Sequence, residues 1–314
     1  MISHPEKVLF PDDGITKGEV AAYYEAVAPF MVPHLSGRPI TMERFPSGIA
    51  AKGFMQKDVV KGFPEWLERV EVPKRGGTTH YPLVRDTRAL LWLANQNCIT
   101  PHVWTSRAPD LMRPDLCVFD LDPSHDEPEV LRAATLLVRD VLAELGLRSW
   151  LKTSGSKGFH IVVPVDGATT FDQVWHFAHG VAAVLAKRDP GHLTLEFIKA
   201  DRGGRILIDT GRNGPGATFA AAYAVRARAG GPVSAPCAWS ELEHEHIGPR
   251  QFQLRTMAER LARVGDVWAD LSANEQPLAA PFERVQSMLS DADRQEARAA
   301  STRRPRARST PRRS

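Results

Sequence analysis

The 314-residue chain is 43% hydrophobic and 25% charged, with a net charge of +3, values that are ordinary for a globular protein. They exclude a disordered, fibrous or collagen-like body, and ~150 residues per domain predicts about two domains or one large domain. Three cysteines without a Cys-x-x-Cys spacing, no apolar leader and no apolar run near the ~18 residues of a membrane span indicate a cytoplasmic protein without disulfides or structural zinc.

Predicted helices and strands follow one another along residues 1–290 without a linker that divides them. The first helix is predicted where Thr16 and Glu19 form a capping box ahead of apolar residues at helical spacing. The elements predicted after it are, in chain order, a strand over 39–45, an exposed loop or hairpin over 48–62, a helix over 87–96, a strand over 116–119, a helix over 127–145 capped by Asp126, strands over 149–153 and 159–165, a helix over 171–187, a strand pair over 194–198 and 205–209 that turns at 202–204, and a helix over 248–264. Central strands with flanking helices predict an α/β or α+β fold.

Two aspartates, Asp120 and Asp122, follow the apolar strand over 116–119. Side chains alternate between the two faces of a strand, so these carboxylates point the same way. Neighbouring carboxylates repel each other, and a shared divalent cation removes that cost. The pair therefore suggests a metal site, although Asp-x-Asp is common by chance and a strand end with two solvated acids is the alternative.

A second feature is the glycine-rich segment Ser154-Gly-Ser-Lys-Gly-Phe-His160. Its glycines let successive N–H groups approach an anion, Lys157 adds a positive charge, and His160 can face the same site. The segment is not a P-loop because the Gly-Lys-Ser/Thr order is absent. A plain hairpin turn is the alternative, but the position soon after the Asp pair favours a nucleotide or phosphoester site.

A third apolar strand ends in Asp209, with Arg202, Arg212 and Arg226 nearby in the sequence. Three carboxylates at strand ends together with basic groups are typical of two-metal phosphoryl transfer. The arginines suit bidentate phosphate contacts, although each one alone is more often a surface charge. A haloacid-dehalogenase-type phosphatase is the competing hypothesis for the Asp-x-Asp motif. It is disfavoured because Pro123 follows the motif and 119 residues precede it.

Several motifs occur in an order that is specific to one family. They are Lys7-Val-Leu-Phe-Pro11, Thr16-Lys17, Gly37-Arg-Pro39, Phe54-Met-Gln-Lys57, Asp120-Leu-Asp122, Ser154-Gly-Ser-Lys-Gly-Phe-His160 and Asp209. Over about residues 3–270 the chain resembles the polymerase module of bacterial ligase D, a member of the archaeo-eukaryotic primase superfamily that serves non-homologous end joining. The resemblance implies a primase-like fold with an RRM-like catalytic sheet flanked by helices. No lysine stands in the Lys-x-Asp-Gly setting of a ligase nucleophile, so we expect a free-standing primase-polymerase.

The resemblance also implies a function and a set of site residues. The function is addition of ribo- or deoxyribonucleotides, with ribonucleotides favoured, to DNA 3′ ends at gaps or double-strand breaks, in end joining or gap filling. Asp120, Asp122 and Asp209 would bind two Mn²⁺ or Mg²⁺ ions, one on the primer 3′-hydroxyl and one on the incoming triphosphate. The other implied contacts are His102, Ser154, Ser156, Lys157, Gly158, His160, Arg202 and Arg226 for the nucleotide, Lys7 and Lys17 for a DNA 5′-phosphate, and Phe54 and Lys57 for the template. Implied partners are gapped or broken DNA, NTP or dNTP, a separate ATP-dependent ligase and Ku, in the nucleoid and not at a membrane.

Four positions depart from the family pattern. Met55 replaces an aromatic residue, Thr100 an acid, Arg212 a Gln-like residue, and Ala222 the proline of an Ala-Pro-Tyr motif. The carboxylates are all present, so we expect differences in strand bridging and template contacts. A non-catalytic DNA-end bridging module that recruits a ligase or Ku is the alternative function, and the three retained acids argue against it.

A disordered, Arg-rich tail is predicted over 291–314, after a catalytic domain over 1–290. Seven arginines and no acid lie between 297 and 314, so the net charge of +3 falls by seven, to −4, for residues 1–296. A cationic tail attracts phosphate polymers through counterion release without reading their sequence. The tail therefore suggests nucleic-acid contact, and a solubilising end without a specific partner is the alternative.

Overall fold

A computed structural model describes residues 2–59, 62–295 and 299 of the chain. The strands are β1 (Val8–Phe10), β2 (Ile15–Thr16), β3 (Ile40–Arg44), β4 (Phe54–Gln56), β5 (Arg69–Lys74), β6 (Gly77–Pro82), β7 (Cys98–Trp104), β8 (Leu116–Asp122), β9 (Trp150–Thr153), β10 (Phe159–Pro164), β11 (Leu193–Thr194), β12 (Ile206–Asp209), β13 (Thr218–Ala220), β14 (Ala224–Val225), β15 (Val233–Ser234) and β16 (Pro236–Cys237). The α-helices are α1 (Lys17–Leu35), α2 (Thr87–Asn95), α3 (Pro128–Glu144), α4 (Phe171–Arg188), α5 (Trp239–His244), α6 (Met257–Val264) and α7 (Ala279–Met288). The mixture of helices and strands confirms the predicted α/β class.

One six-stranded sheet, in the order β11-β12-β8-β10-β9-β16, carries the site. Along β8, Cys117, Phe119 and Leu121 belong to the apolar core that includes residues of α3 and α4. Val118 belongs to a different core, so the other face of β8 points away from these helices. This alternation leaves one face of the sheet free for polar side chains near the end of β8.

A second sheet, in the order β13-β7-β3-β4, belongs to the half of the molecule that α1 and α2 cover. Its core includes Phe219 of β13 and Val103 of β7, together with Val118 and Val162 of the first sheet. The two sheets therefore share one apolar core. Where that core ends, polar residues of both sheets line a common cleft.

The first helix confirms the prediction made from its capping box. The Thr16 hydroxyl accepts from the N–H of Glu19, and the Glu19 carboxylate accepts from the N–H of Thr16. At α3 the predicted cap is wrong, because Glu127 occupies the N-cap position without a side-chain bond. Pro128 at the first helical position has no N–H that would need a cap.

Two other predictions differ from the structure. The strand pair predicted over 194–198 and 205–209 is not a hairpin, because β11 ends at Thr194 and pairs in parallel with β12. Parallel neighbours need a crossover, and the chain makes it through the 3₁₀ turn Lys199–Arg202. The helix predicted over 248–264 starts only at Met257, because the backbone before it bonds in extended fashion, with the N–H of Val233 donating to the carbonyl of Phe252.

The predicted tail falls largely on residues that the structure does not describe. Residues 291–295 are helical, and Asp293 accepts a hydrogen bond from Lys187 of α4. Residues 296–298 and 300–314 lie outside the described residues. In the described part of the chain, no helix combines the length and the apolar character needed to cross a bilayer.

Candidate active site

Four polar side chains form one row across the six-stranded sheet. The strand register pairs Asp209 of β12 with Asp120 of β8, Asp120 with His160 of β10, and His160 with Lys152 of β9. Directly paired residues point to the same face of a sheet, and Asp122 lies two residues after Asp120 on that face. The structure thus brings the three predicted carboxylates together, on the face opposite α3 and α4.

Polar side chains of the protein contact Asp120 and Asp122 directly. Asp120 Oδ1 lies 3.3 Å from His160 Nε2, and Asp120 Oδ2 accepts from Arg212 Nε at 3.1 Å. Burial alone would raise the pKa of Asp120, but His160 and Arg212 hold it well below its usual range. Because its pKa is lowered, Asp120 is an anion at neutral pH. Asp122, in turn, accepts a hydrogen bond from Arg202 Nη1 at 2.9 Å.

Asp209 has a different electrostatic environment. Its Oδ1 accepts from the backbone N–H of Gly211 at 2.7 Å, and its Oδ2 lies 3.5 Å from Arg212 Nη2. Burial raises the pKa of Asp209 above its ordinary value, although Arg212 opposes this shift. Arg212 therefore lies between Asp120 and Asp209 and contacts both.

The donor set fits a divalent cation, although its side chains are not gathered around one point. Three carboxylates provide the hard oxygen ligands that Mg²⁺ and Mn²⁺ prefer. Across residues 2–59, 62–295 and 299, however, no three His, Cys, Asp or Glu side chains converge closely enough to hold a metal ion. In this arrangement Arg212 engages Asp120 and Asp209, and Arg202 engages Asp122.

The glycine-rich loop packs against the strand that carries the aspartates. The Ser154 hydroxyl accepts from the N–H groups of Ser156 and Gly158, both at 3.1 Å, so this serine shapes the loop. A Cβ on Gly158 would lie 1.7 Å from the carbonyl oxygen of Leu121. Only glycine permits this approach, which places the loop beside the residue between the two aspartates, with Lys157 exposed.

One open cleft of about 340 Å³ brings these residues together. It is lined by the three aspartates and by every residue predicted to contact the nucleotide, namely His102, Ser154, Ser156, Lys157, Gly158, His160, Arg202 and Arg226. His102 comes from the second sheet and lies 3.2 Å from the Glu43 carboxylate, an acid that the sequence did not indicate. Arg226 donates from Nη1 to the Ser154 carbonyl at 2.8 Å, which links it to the loop.

Lys152, which was not predicted from the sequence, completes the polar row. This lysine is fully buried in β9, and its Nζ lies 2.6 Å from His160 Nδ1. Burial, assisted by the positive charge of Arg226, lowers the pKa of Lys152 well below its usual range. Burial and Lys152 lower the pKa of His160 to about 4, so its imidazole is neutral at pH 7. A lysine in an otherwise apolar strand was the available signal, because lysine is almost never fully buried without a partner.

Asn213 was also missed, and it fixes the position of Arg212. The Asn213 side chain accepts from the N–H of Val118 and donates to the carbonyl of Val118, each at 2.7 Å. Val118 lies two residues before Asp120, so this clamp holds the 3₁₀ turn Gly211–Asn213 against β8. Nothing in the local sequence distinguishes this asparagine from an ordinary turn residue.

We expect Asn213→Ala to lower the free energy of unfolding by about 1–3 kcal/mol, because it leaves a buried N–H and C=O of Val118 without partners. Urea denaturation measures the change. Asn274→Ala is the matched control, since its hydrogen bonds are exposed, and we expect it to cost about 0.5 kcal/mol or less. Equal losses in the two variants would contradict this role for Asn213.

The two lysines predicted to bind a 5′-phosphate lie together at the start of α1. The N–H of Lys17 donates to the carbonyl of Lys7 at 2.8 Å, and Lys17 Nζ donates to the Ser3 carbonyl at 2.8 Å. Burial and the charge of Lys7 lower the pKa of Lys17. Lys7 is exposed and donates to the Pro46 carbonyl. Two cations at a helix N-terminus are favourable for a phosphate.

The residues predicted to contact the template lie at the edge strand β4 of the second sheet. Phe54 is 47% exposed, and the guanidinium carbon of Arg44 lies 5.5 Å from the centre of its ring. Met55 is equally exposed, and Lys57 is also an exposed residue. These residues, like Lys7 and Lys17, lie outside the lining of the cleft.

Comparisons with known proteins identify the family of the chain. The family model for the LigD primase-polymerase domain matches residues 16–268. The multifunctional non-homologous end joining protein LigD of Mycolicibacterium smegmatis is 34% identical over 290 residues, which cover 91% of this chain and 38% of that protein. The Pseudomonas aeruginosa protein of the same description is 35% identical over 288 residues, which cover 90% of this chain and 34% of that protein.

A solved structure is similar over nearly its whole length. It is the polymerase domain of Mycobacterium tuberculosis ligase D in complex with DNA, with a TM-score of 0.82 and 33% identity, and the match covers 88% of this chain and 99% of that one. The chain spans less than two fifths of the two LigD proteins described above. The matched fold and the matched sequence, together with the site they surround, show that the chain belongs to the LigD primase-polymerase domain family.

Proposed function

We propose that the protein is a template-directed nucleotidyltransferase that extends DNA 3′ ends at gaps or double-strand breaks. The observation that carries the proposal is the row of three carboxylates facing the glycine-rich loop across one cleft. This arrangement places anionic metal ligands beside groups that can bind phosphate. The DNA bound to the solved polymerase domain of the Mycobacterium tuberculosis protein supports the same substrate class here.

In this proposal Asp120, Asp122 and Asp209 hold two Mn²⁺ or Mg²⁺ ions. Such ions lower the pKa of a primer 3′-hydroxyl and neutralise charge on the departing pyrophosphate. The protein's own residues position the nucleotide: Lys157 and Arg226 supply positive charge to the triphosphate from two sides of the loop. Ser154, Ser156, Gly158 and His102 shape that pocket, and Arg202 orients Asp122.

His160 and Lys152 form the rigid floor of the site in the same proposal. The neutral imidazole lies between the Lys152 amine and the Asp120 carboxylate, with one ring nitrogen toward each. Both side chains are buried, so this contact fixes the ring orientation. The neutral His160 ring thereby holds the Asp120 carboxylate in place. It adds no positive charge that would compete with a metal ion for the carboxylate oxygens.

The DNA contacts of the proposal lie on the two surfaces outside the cleft. Phe54 stacks on a template base, an interaction worth about 1–3 kcal/mol per base, and Lys57 contacts the template backbone. Lys7 and Lys17 bind the 5′-phosphate on the far side of a gap. The same proposal includes a separate ATP-dependent ligase and Ku as partners, because an extended end still has to be sealed. It also includes action on DNA in the cytoplasmic nucleoid.

We expect Lys7→Ala to remove the preference for a 5′-phosphate. The measurement is incorporation on a gapped duplex whose downstream strand carries either a 5′-phosphate or a 5′-hydroxyl. Because a hydrogen bond to a charged group is worth about 1.5–3 kcal/mol, the wild type should favour the phosphate by about tenfold or more and the variant should not. Lys187→Ala, on α4, is the control. A preference that survives in Lys7→Ala would place the phosphate elsewhere.

The experiment that tests the proposed activity is primer extension on a gapped duplex with Mn²⁺ or Mg²⁺ and either NTP or dNTP. Extension that a chelator abolishes supports the polymerase, and more product with NTP supports the ribonucleotide preference. Tight DNA binding without extension would identify a DNA-end bridging module instead. Release of phosphate from simple phosphoesters without extension would identify a phosphohydrolase.

A further inference from the structure

Arg212 occupies the position between two carboxylates that metal ions would share. Its Nε lies 3.1 Å from Asp120 Oδ2, and its Nη2 lies 3.5 Å from Asp209 Oδ2. The carboxylates are 14% and 17% exposed, so both contacts are shielded from water. Charged hydrogen bonds of this kind are stronger than those on an open surface. Arg212 thus neutralises negative charge that the sheet register concentrates there.

The turn that carries Arg212 holds it at this position. Asn213, the next residue, is clamped to Val118 of β8, and the carbonyl of Thr218 accepts from Arg212 Nη1 at 3.3 Å. The backbone of the turn is therefore fixed while the side chain remains 40% exposed at the cleft. A long side chain on a fixed backbone can leave the carboxylates by rotation alone.

Arg202, the other arginine in the site, is anchored differently. Its guanidinium donates to the carbonyls of Glu196 and Phe197 as well as to Asp122, and its side chain is only 6% exposed. Releasing it from Asp122 would leave these backbone bonds in place. Of the two cations that hold the aspartates, Arg212 is the more exposed at the cleft, and apart from the aspartates its guanidinium bonds to the Thr218 carbonyl.

We propose that Arg212 is the resident counterion of the metal site and limits its affinity for divalent cations. The guanidinium and a metal ion compete for the same oxygens of Asp120 and Asp209, so a cation binds only when Arg212 is displaced. This inference rests on the proposed function, since the metal site belongs to it. Arg212 acts as a positioning residue that delays metal binding until a triphosphate is present to accept the displaced guanidinium.

The test is direct Mn²⁺ binding, measured from the electron paramagnetic resonance signal of free Mn²⁺ in the absence of nucleotide and DNA. We expect Arg212→Gln to bind Mn²⁺ about tenfold more tightly than the wild type, a difference of about 1.4 kcal/mol. Arg212→Lys should fall between them, because a single ammonium cannot engage two carboxylates as a planar guanidinium does. Arg113→Gln, which removes one positive charge near the opposite end of β8, should match the wild type.

If Arg212 only stabilised the fold, Arg212→Gln would damage the site and weaken Mn²⁺ binding. Tighter binding in this variant therefore distinguishes competition for the carboxylates from a structural role. Equal or weaker Mn²⁺ binding in Arg212→Gln, in a protein whose binding still depends on Asp120, would overturn the inference and leave the proposed function intact. Suppose instead that Asp120→Asn does not reduce Mn²⁺ binding, either in the wild type or in the Arg212 variants, and that no primer is extended. That result would overturn the proposed metal site and this inference with it. The two failures are thereby distinguishable.

Discussion

Asp120→Asn should lower the rate of nucleotide incorporation by about 10³-fold, corresponding to ~4 kcal/mol of transition-state stabilisation. Asp120 lies at the centre of the polar row, opposite both Asp209 and His160, and its lowered pKa keeps it anionic. Asparagine has nearly the same shape but no charge, so it removes the negative charge of one proposed metal ligand and leaves the packing of β8 unchanged. The measurement is single-turnover primer extension at saturating Mn²⁺ and nucleotide.

The matched control for Asp120→Asn is Asp140→Asn, because Asp140 is an exposed acid on α3 that pairs with its neighbour Arg139. This variant should extend the primer at the wild-type rate. Circular dichroism on each variant checks that the fold is intact at the assay temperature. Asp120→Asn activity within a few-fold of the wild type, in a folded protein, would show that this carboxylate does not bind an essential ion.

Gly158→Ala should lower incorporation by about 100-fold through displacement of the loop. An added Cβ would lie 1.7 Å from the carbonyl oxygen of Leu121 and 2.9 Å from its carbonyl carbon, so loop and strand must separate. Leu121 lies between the two aspartates, and a shift of about 1 Å at a reacting group can cost about 100-fold in rate. The measurement is the incorporation rate together with the nucleotide KM, which should rise because Lys157 moves with the loop.

Gly191→Ala provides the control for the added methyl group, because its Cβ would meet only Asp189 Oδ1, at 3.9 Å. Its rate and KM should match those of the wild type. If Gly158→Ala extends primers normally, the loop does not position the nucleotide and the proposed role of Lys157 is wrong. If it unfolds, the KM cannot be measured, and Lys157→Ala then tests the same contact without a steric clash.

Short-range patterns indicated part of the candidate site, whereas His102, Lys7 and Phe54 followed from the family resemblance. The capping box of Thr16 and Glu19 and the alternation that places Asp120 beside Asp122 depend on neighbours a few residues apart. The glycine-rich loop was visible for the same reason. Its detailed role was not, because the clash that makes Gly158 necessary involves Leu121, which is distant in sequence and adjacent only through the pairing of β8 with β10.

The contacts that the sequence could not show depend on pairing between strands that are distant along the chain. Asp209 meets Asp120 only because β12 lies beside β8, and Lys152 reaches His160 only because β9 lies beside β10. The parallel pairing of β11 with β12 was mistaken for a hairpin, since local strand signals carry no direction. Arg212 could be named as a nearby cation, but its place between two carboxylates depends on the clamp that Asn213 makes with a different strand.

We expect this cleft to add nucleotides to a DNA 3′ end under the direction of a template. The most direct measurement uses the wild-type protein on a gapped duplex with a 5′-phosphate, with each of the four bases in turn opposite the gap and one nucleotide supplied at a time. We predict addition that depends on a divalent cation, selects the complementary nucleotide at every template base and disappears in Asp120→Asn. No addition at any template base, or addition that ignores the template base, would contradict it.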